Sequence, residues 1–485
     1  MKSRLLLPAL LPVFLVLATL NAGGYRYGAS DQAFYQPAVV EKLHPELYPR
    51  DSSLIAAQAK LTLYDEVVAG LVRTTGQSVP LTFAVLYVLS LVLVATGAWL
   101  VARQLFLTTW GAVAFLAAMT LRHAIARSGT NTLEGYFHPR QVAFGLGLIA
   151  VGMFLRGRLV PVAVLVLIAG LFHPTAALWF AVWLAAAAMI LDARARRWIA
   201  LAAIPTTIGA LWAFTAGPLA GRLGVMDDEW LALLGTKEYL FPLDWPPYAW
   251  TLNLGYLVVV WVFYQLRQRA GLVAAPERAL ILGSASLAAC FAVALITQAM
   301  HITLSFQLQP ARLFLIFDFL ATLYIVWALA EMPARRAPVV VAVILVMASL
   351  ARGGAVLASG RPFFRMDLPA DDWTRVMAWA RTTDVGSAWL ADPLHATVHG
   401  TSVRVAGERD VFVEAIKDAA LGIYDRDIAQ RTDQRFRAIK DFHLLTKEQV
   451  TSLAREYDLE YFVTPYPFDL PVAFESGPLR VYRLR

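Results

Sequence analysis

Two things are scarce in this chain of 485 residues, cysteine and charge, and each scarcity closes off a class of protein. There is one cysteine, Cys290, and it stands inside an apolar stretch, so neither a disulfide framework nor a cysteine-ligated metal site is open to the chain. Asp, Glu, Lys and Arg together make only 16% of the residues against 58% hydrophobic ones, more apolar side chain than a soluble domain needs to fill a core. A polytopic membrane protein is the expectation. The net charge of +7 does not point to nucleic acid, because in a membrane protein surplus Lys and Arg collect first in cytoplasmic loops. Also missing from the more polar C-terminal stretch are a glycine-rich phosphate loop, a nucleophile elbow and a metal-spaced histidine set; His395 and His399, four apart, are a weak ligand pair.

What is present is a series of apolar runs near the length that a bilayer core of about 30 Å requires of a helix. They cover 5–21, 80–102, 105–121, 140–155, 159–172, 174–191, 197–216, 251–266, 278–298, 309–330 and 338–358, about eleven spans. The runs 140–155 and 159–172 are short, and a re-entrant hairpin is the competing arrangement. It would carry Arg156 and Arg158 into hydrocarbon, at a cost of about 2.5–3.5 kcal/mol each, so two crossings are favoured.

Charge sets the direction. With Lys2 and Arg4 inside, alternate connections carry Arg103, Arg156, Arg158, Arg194, Arg196, Arg197, Arg267, Arg269, Arg278, Arg335 and Arg336, which is the positive-inside pattern. The opposite connections hold Asp31, Glu41, Asp51, Glu134, Asp227, Asp228, Glu229 and Asp244. The N-terminus is then cytoplasmic and the C-terminus external. Met1–Gly24 as a cleaved signal peptide is the alternative, although LNAGG lacks a clear small-x-small site.

The division expected is a membrane domain over 1–360 and an external α/β domain over 361–485. The first outer loop, about 21–79, is longer than a helix connection needs. Its apolar residues Leu54, Ile55, Leu61, Leu63, Val67, Val68 and Leu71 recur at partly helical spacing, with Asp51 or Ser52 as N-cap, so surface-lying helices are expected. The second outer loop, about 122–140, gathers Arg122, His123, Arg127, Glu134, His138 and Arg140. His173-Pro174 forms a third tip, and Phe241–Trp250 reads as an aromatic interfacial belt. Asp318 lies inside a span, where an isolated carboxylate must face protein, water or a cation; Arg312, about 9 Å away along a helix, is too distant for a direct pair. Past residue 360 the runs SAWLAD, SVRVAG, EYFVTP and LRVYRLR read as strands, and 371–381, 410–420 and 447–457 as helices.

Topology thus puts Asp31, Glu134, His44, His138, His173, Arg140 and Arg312 at one depth, the outer bilayer surface, where a lipid-linked substrate presents its head. Glycosyl transfer from such a donor needs a carboxylate base for the acceptor hydroxyl and cations or a metal for the leaving phosphate. Asp31 suits the first role, and Arg312 or Arg140 the second, since a guanidinium fork matches phosphate oxygens. Glu134 has three roles open to it: assisting Asp31, sharing a divalent cation (Mg or Mn) with it, or pairing with Arg140 or Arg127. Gln32 and Gln309 complete the substrate-binding candidates.

This layout resembles the GT-C superfamily of polyprenyl-phosphate-dependent glycosyltransferases, and YGASDQAFYQP, YPRD, EGYFHPRQVAFGL, FHPTAALWF and LQPARLFLIFDFL look like segments of a bacterial branch with that layout. The resemblance implies a multi-pass enzyme of the inner membrane with an extracytoplasmic C-terminal domain. It further implies a polyprenyl-phosphate sugar donor and an acceptor that is a glycan, lipid or protein. Asp31 stands where the family places its first-loop catalytic acid and Glu134 where several members place a second-loop acid. Two departures matter. Asp31 is followed by Gln32 rather than a second acid, and no WWD-type motif occurs, AWARTTD being no substitute, which counts against protein-sequon glycosylation and leaves the acceptor open. The competing functions are a transporter or flippase of a lipid-linked sugar, with Asp318 as proton relay, and a non-catalytic scaffold.

Overall fold

The computed structural model describes residues 6–333 and 336–485, so Lys2, Arg4 and Arg335, used above for orientation, lie outside the described residues. The chain forms two compact units: Met1–Tyr25, Val85–Met226 and Lys237–Phe364 make the first, and Arg26–Ala84, Asp227–Thr236 and Arg365–Arg485 the second.

The first unit is almost entirely helical, and each apolar run of the sequence coincides with helix. Among the described residues, seven helices can cross a membrane by length and composition, whereas Leu6–Asn21, Thr109–Met119, Pro139–Leu155 and Leu159–Phe172 are shorter apolar helices. The segment Thr303–Glu331 is the centre of the unit, with 83% of its most apolar window buried, while none of that window is buried in Ala193–Thr215. An apolar helix with no buried window is what a lipid-facing helix looks like. The central segment is broken at Gln309, which adopts a left-handed conformation (φ 49°) ahead of Pro310, then continues as a Pro310–Leu313 3-10 turn and the Phe314–Glu331 helix. Proline disfavours helical geometry in the residue before it and brings no N–H, which gives this break its local cause. Close packing comes from glycine: a Cβ on Gly97 would fall 2.5 Å from Leu148 and one on Gly145 2.7 Å from Leu93, so the Val79–Leu105 and Pro139–Leu155 helices touch almost backbone to backbone.

The second unit is built on a five-stranded sheet in the order Asp410–Val411, Ala388–Leu390, Tyr461–Thr464, Leu479–Arg483, Val472–Ser476. The first three strands run parallel and the last three antiparallel. One face buries Trp373, Val376 and Met377 of the Asp372–Ala380 helix against Trp389 and Val463; the other buries Val450 and Leu453 of Lys447–Tyr457 against Leu390 and Phe462. Both helices begin with a capping box, Asp371 with Thr374 and Thr446 with Gln449. Three helices from the N-terminal part of the chain, Gln32–Leu43, Ser52–Ala59 and Tyr64–Thr75, belong to the same unit.

Two local expectations are corrected. SVRVAG is not a strand: Ser402 Oγ accepts the Val405 N–H at 3.2 Å and starts the short helix Val403–Ala406. The 410–420 stretch is helical only over Ala415–Leu421, the Asp410–Val411 pair being the edge strand.

Asp51 occupies the N-cap position of Ser52–Ala59, but its side chain makes no cap. Its carboxylate instead accepts from Arg404 Nε at 2.8 Å, from Arg431 and from the Val411 N–H at 3.2 Å. Arg404 grips Asp418 with both Nη atoms, at 2.6 and 3.1 Å. All three side chains are buried. Burial alone would push the Asp51 carboxyl up; Arg404 and Arg431 overcome that and hold it below the usual range. Truncation of Arg404 would leave two buried carboxylates uncompensated, so Arg404→Ala is expected to cost about 3–5 kcal/mol. Thermal or denaturant unfolding of the detergent-solubilised chain measures it, and a variant as stable as the wild type would reject the network as a structural keystone.

Candidate functional site

The residues singled out in the sequence fall into two groups. Glu134, His138, Arg140, His173, Gln309 and Arg312 belong to the first unit, and Asp31, Gln32 and His44 to the second.

In the first unit, two helices begin the same way. His138 is the N-cap of Pro139–Leu155 and His173 that of Pro174–Leu191, each followed by proline at the first helical position, where the absent N–H costs nothing. Each imidazole Nδ1 accepts a helix N–H, from Arg140 at 3.0 Å and from Ala176 at 3.2 Å. A ring nitrogen that accepts is unprotonated, so a neutral ring carries its hydrogen on Nε2. The two rings lie 6.2 Å apart, centroid to centroid. Burial, reinforced by the Arg312 charge, holds His173 well below the usual histidine range and keeps it neutral.

Arg140, in the first turn of its helix, is buried and donates to the buried Glu134 carboxylate, which also accepts from Asn131 Nδ2 at 3.2 Å. The Glu134 N–H is held by Gln141 Oε1 at 3.0 Å. Of the roles open to Glu134, the structure therefore shows the ion pair with Arg140. Arg312 projects from the 3-10 turn beyond the Gln309 break, and its guanidinium lies 5.5 Å from the centre of the Tyr239 ring. Among the described residues no Asp or Glu pairs with Arg312, and its Nε is buried without a hydrogen bond. Arg140, His173 and Arg312 line one small recess of about 20 Å³ whose other walls are apolar, among them Phe144, Trp179, Phe180 and Leu315. Gln309 is buried at the helix break and is not part of that lining.

Asp318 finds a partner that the sequence did not suggest. His123 Nε2 stands 2.6 Å from Asp318 Oδ1, and His123 Nδ1 stands 3.1 Å from the Leu121 carbonyl. Both nitrogens are thus occupied by oxygen atoms. The hydrogen bond to Asp318 outweighs burial and raises His123 above its ordinary value.

In the second unit, Asp31 precedes the Gln32–Leu43 helix without capping it. Its carboxylate is 2.8 Å from the ammonium of Lys417, which also lies 5.2 Å from the centre of the Phe34 ring. Gln32 is fully buried and its Oε1 accepts the Gly28 N–H at 2.6 Å, so it fixes the turn that presents Asp31. His44 is exposed, 3.4 Å from Glu46, in a surface pair. Lys417 and His123 carried no distinguishing signal in EAIKDAAL and LRHAIAR, because each acquires its role from a partner far away in the chain.

A divalent cation would need several hard ligands together. Among the described residues no three His, Cys, Asp or Glu side chains are grouped for one, and the two acids considered for sharing it each face a cation of the chain itself. This donor set does not fit a divalent cation.

No protein-family model matches the chain, and no curated protein matches it. Among solved structures, the chain is similar to an oligosaccharyltransferase from Archaeoglobus fulgidus, crystallised with Zn and sulfate, with a TM-score of 0.40 and 13% identity over 93% of this chain and 67% of that one.

Proposed function

We propose that this protein is a membrane glycosyltransferase of the GT-C layout, which moves a sugar from a polyprenyl-phosphate donor to an extracytoplasmic acceptor with inversion at the anomeric carbon. The observation that carries the reading is the recess in the membrane unit, where Arg140, Arg312 and a neutral His173 meet aromatic and aliphatic walls. Two guanidiniums and an imidazole N–H recognise a phosphate, and the apolar walls suit the prenyl chain attached to it.

On this reading Asp31 is the base. A base acts from its carboxylate form, the form that pairs with the Lys417 ammonium. In such a transfer the acceptor oxygen loses its proton to the base as it bonds to the anomeric carbon, the bond from that carbon to the phosphate oxygen breaks, and the departing charge falls to the cations that hold the phosphate. Glu134 orients Arg140 and offsets its burial.

Two variants separate the roles. Asp31→Asn is expected to lower turnover by about 10²–10⁴-fold with donor affinity unchanged, as loss of a general base does. Arg312→Ala removes charge-assisted hydrogen bonds of about 1.5–3 kcal/mol, so donor binding is expected to weaken by roughly 10–100-fold. Turnover and binding of a polyprenyl-phosphate sugar, measured on purified protein in detergent, check both. An Asp31→Asn protein with full turnover would sink the base assignment.

A second reading, proton-linked movement of a lipid-linked sugar, is favoured by one observation, the His123 and Asp318 pair at the end of a buried helix. Because the pair raises His123 in the folded protein, its contribution is complete below the unfolded histidine value of about 6.5 and is lost as pH rises through the folded value. The thermal midpoint of the wild type should exceed that of His123→Gln most at acid pH, with the gap closing above neutrality. A gap constant across the pH range rejects the pair as a titrating element. Proteoliposome uptake abolished by Asp318→Asn, with transfer activity intact, would favour transport.

A further inference from the structure

The second unit contains a cavity of about 250 Å³ that no role assigned above uses. Its wall is drawn from the turn around Ser30, the stretch from Pro393 to Ser402 and the start of the Ala415–Leu421 helix. Two polar side chains in that wall are buried and unsatisfied. Thr401, 2% exposed, makes no hydrogen bond through Oγ1, and Glu414, 1% exposed, makes no well-formed one through either carboxylate oxygen, its polar neighbours being the Ser402 side chain and Arg404 at 3.9 Å. Buried polar atoms almost always have partners, so unsatisfied ones in the wall of a cavity mark where a ligand's polar atoms belong. Burial raises the Glu414 carboxyl to about 7 against the pull of Arg404, so near neutrality it exchanges a proton readily.

The charges around the cavity narrow the ligand class. Arg26 and Lys417 border it with positive charge and Glu414 with a carboxyl group, while Ile416, 42% exposed, adds an apolar face. An anion would meet the Glu414 carboxylate, and a cation would meet Arg26 and Lys417. A neutral polyhydroxyl ligand satisfies all of them: its hydroxyls donate to Glu414 and accept from Thr401 and the cations, and its C–H face covers Ile416. We infer that this cavity binds a neutral saccharide, with Glu414 and Thr401 as its principal hydrogen-bonding residues. Lys417, whose ammonium also holds Asp31, forms one edge of the cavity. On the glycosyl-transfer reading, and resting on it for this step alone, the bound saccharide is the acceptor, presented beside the residue that holds the base.

The test is binding, without donor, to the full chain in detergent. Neutral methyl hexopyranosides and their disaccharides are titrated by calorimetry and saturation-transfer NMR, with glucuronate and glucosamine as charged controls. At least one neutral sugar is expected to bind, and both charged sugars to bind at least about tenfold more weakly. Glu414→Gln, which keeps the shape, should weaken binding by about tenfold or more, and Thr401→Val severalfold. Ile416→Trp fills the cavity from its exposed side without touching the Arg404 network, and it should abolish binding even if Glu414→Gln fails to fold. No binding of any neutral sugar by the wild type, or binding untouched in Ile416→Trp, overturns the inference. Binding that persists in a protein with no transfer activity upholds the site while removing the glycosyl-transfer reading, so the two fail separately.

Discussion

The second unit depends on one buried guanidinium. Arg404 joins Asp51, which comes from the N-terminal part of the chain, to Asp418, which comes from a helix more than three hundred residues later, and both bonds are made out of contact with water. Buried ion pairs are weak stabilisers compared with apolar packing, but they tolerate no loss of a partner and so fix geometry. What is fixed here is the position of the Ala415–Leu421 helix against Ser52–Ala59. Lys417 is the residue before Asp418 and Glu414 begins the same turn, so the contact to Asp31 and the unsatisfied carboxyl both inherit their places from Arg404.

Much of the architecture was legible because the bilayer leaves few options. An apolar run of sufficient length becomes a helix, and every run read in this way contains helix, although 105–121 narrows mainly to Thr109–Met119. The C-terminal part of the chain was legible where amphipathic periodicity was strong, as at Lys447–Tyr457, and where strands were apolar on both faces, as at Tyr461–Thr464. It was misread at SVRVAG, whose β-branched residues suggest a strand until Ser402 caps a helix and Arg404 is drawn inward by two acids that no local pattern reveals.

The candidate site was legible by residue type and obscure by pairing. Glu134 and Arg140, six apart, were readable as a pair because a helix start and the loop before it bring them together. Asp31 with Lys417 and His123 with Asp318 were not, since a sequence separation of that size carries no register. The same limit applies to Gln32. Its amide beside an acid invites a substrate-binding role, yet it is buried and spends its carbonyl on the Gly28 N–H.

The paired His-Pro helix starts have a consequence for selectivity. Because the backbone claims the lone pair of His173 Nδ1, the hydrogen must sit on the opposite edge of the ring, and proline ensures that no competing N–H disturbs the arrangement. The neighbouring guanidiniums of Arg140 and Arg312 likewise only give hydrogens. A head group rich in bare oxygen is therefore welcomed by this part of the wall, while an alcohol or an amine seeking a home for its own hydrogens finds none on these three side chains. Discrimination of this kind comes from which way the hydrogens point rather than from net charge, and added salt would screen it only weakly.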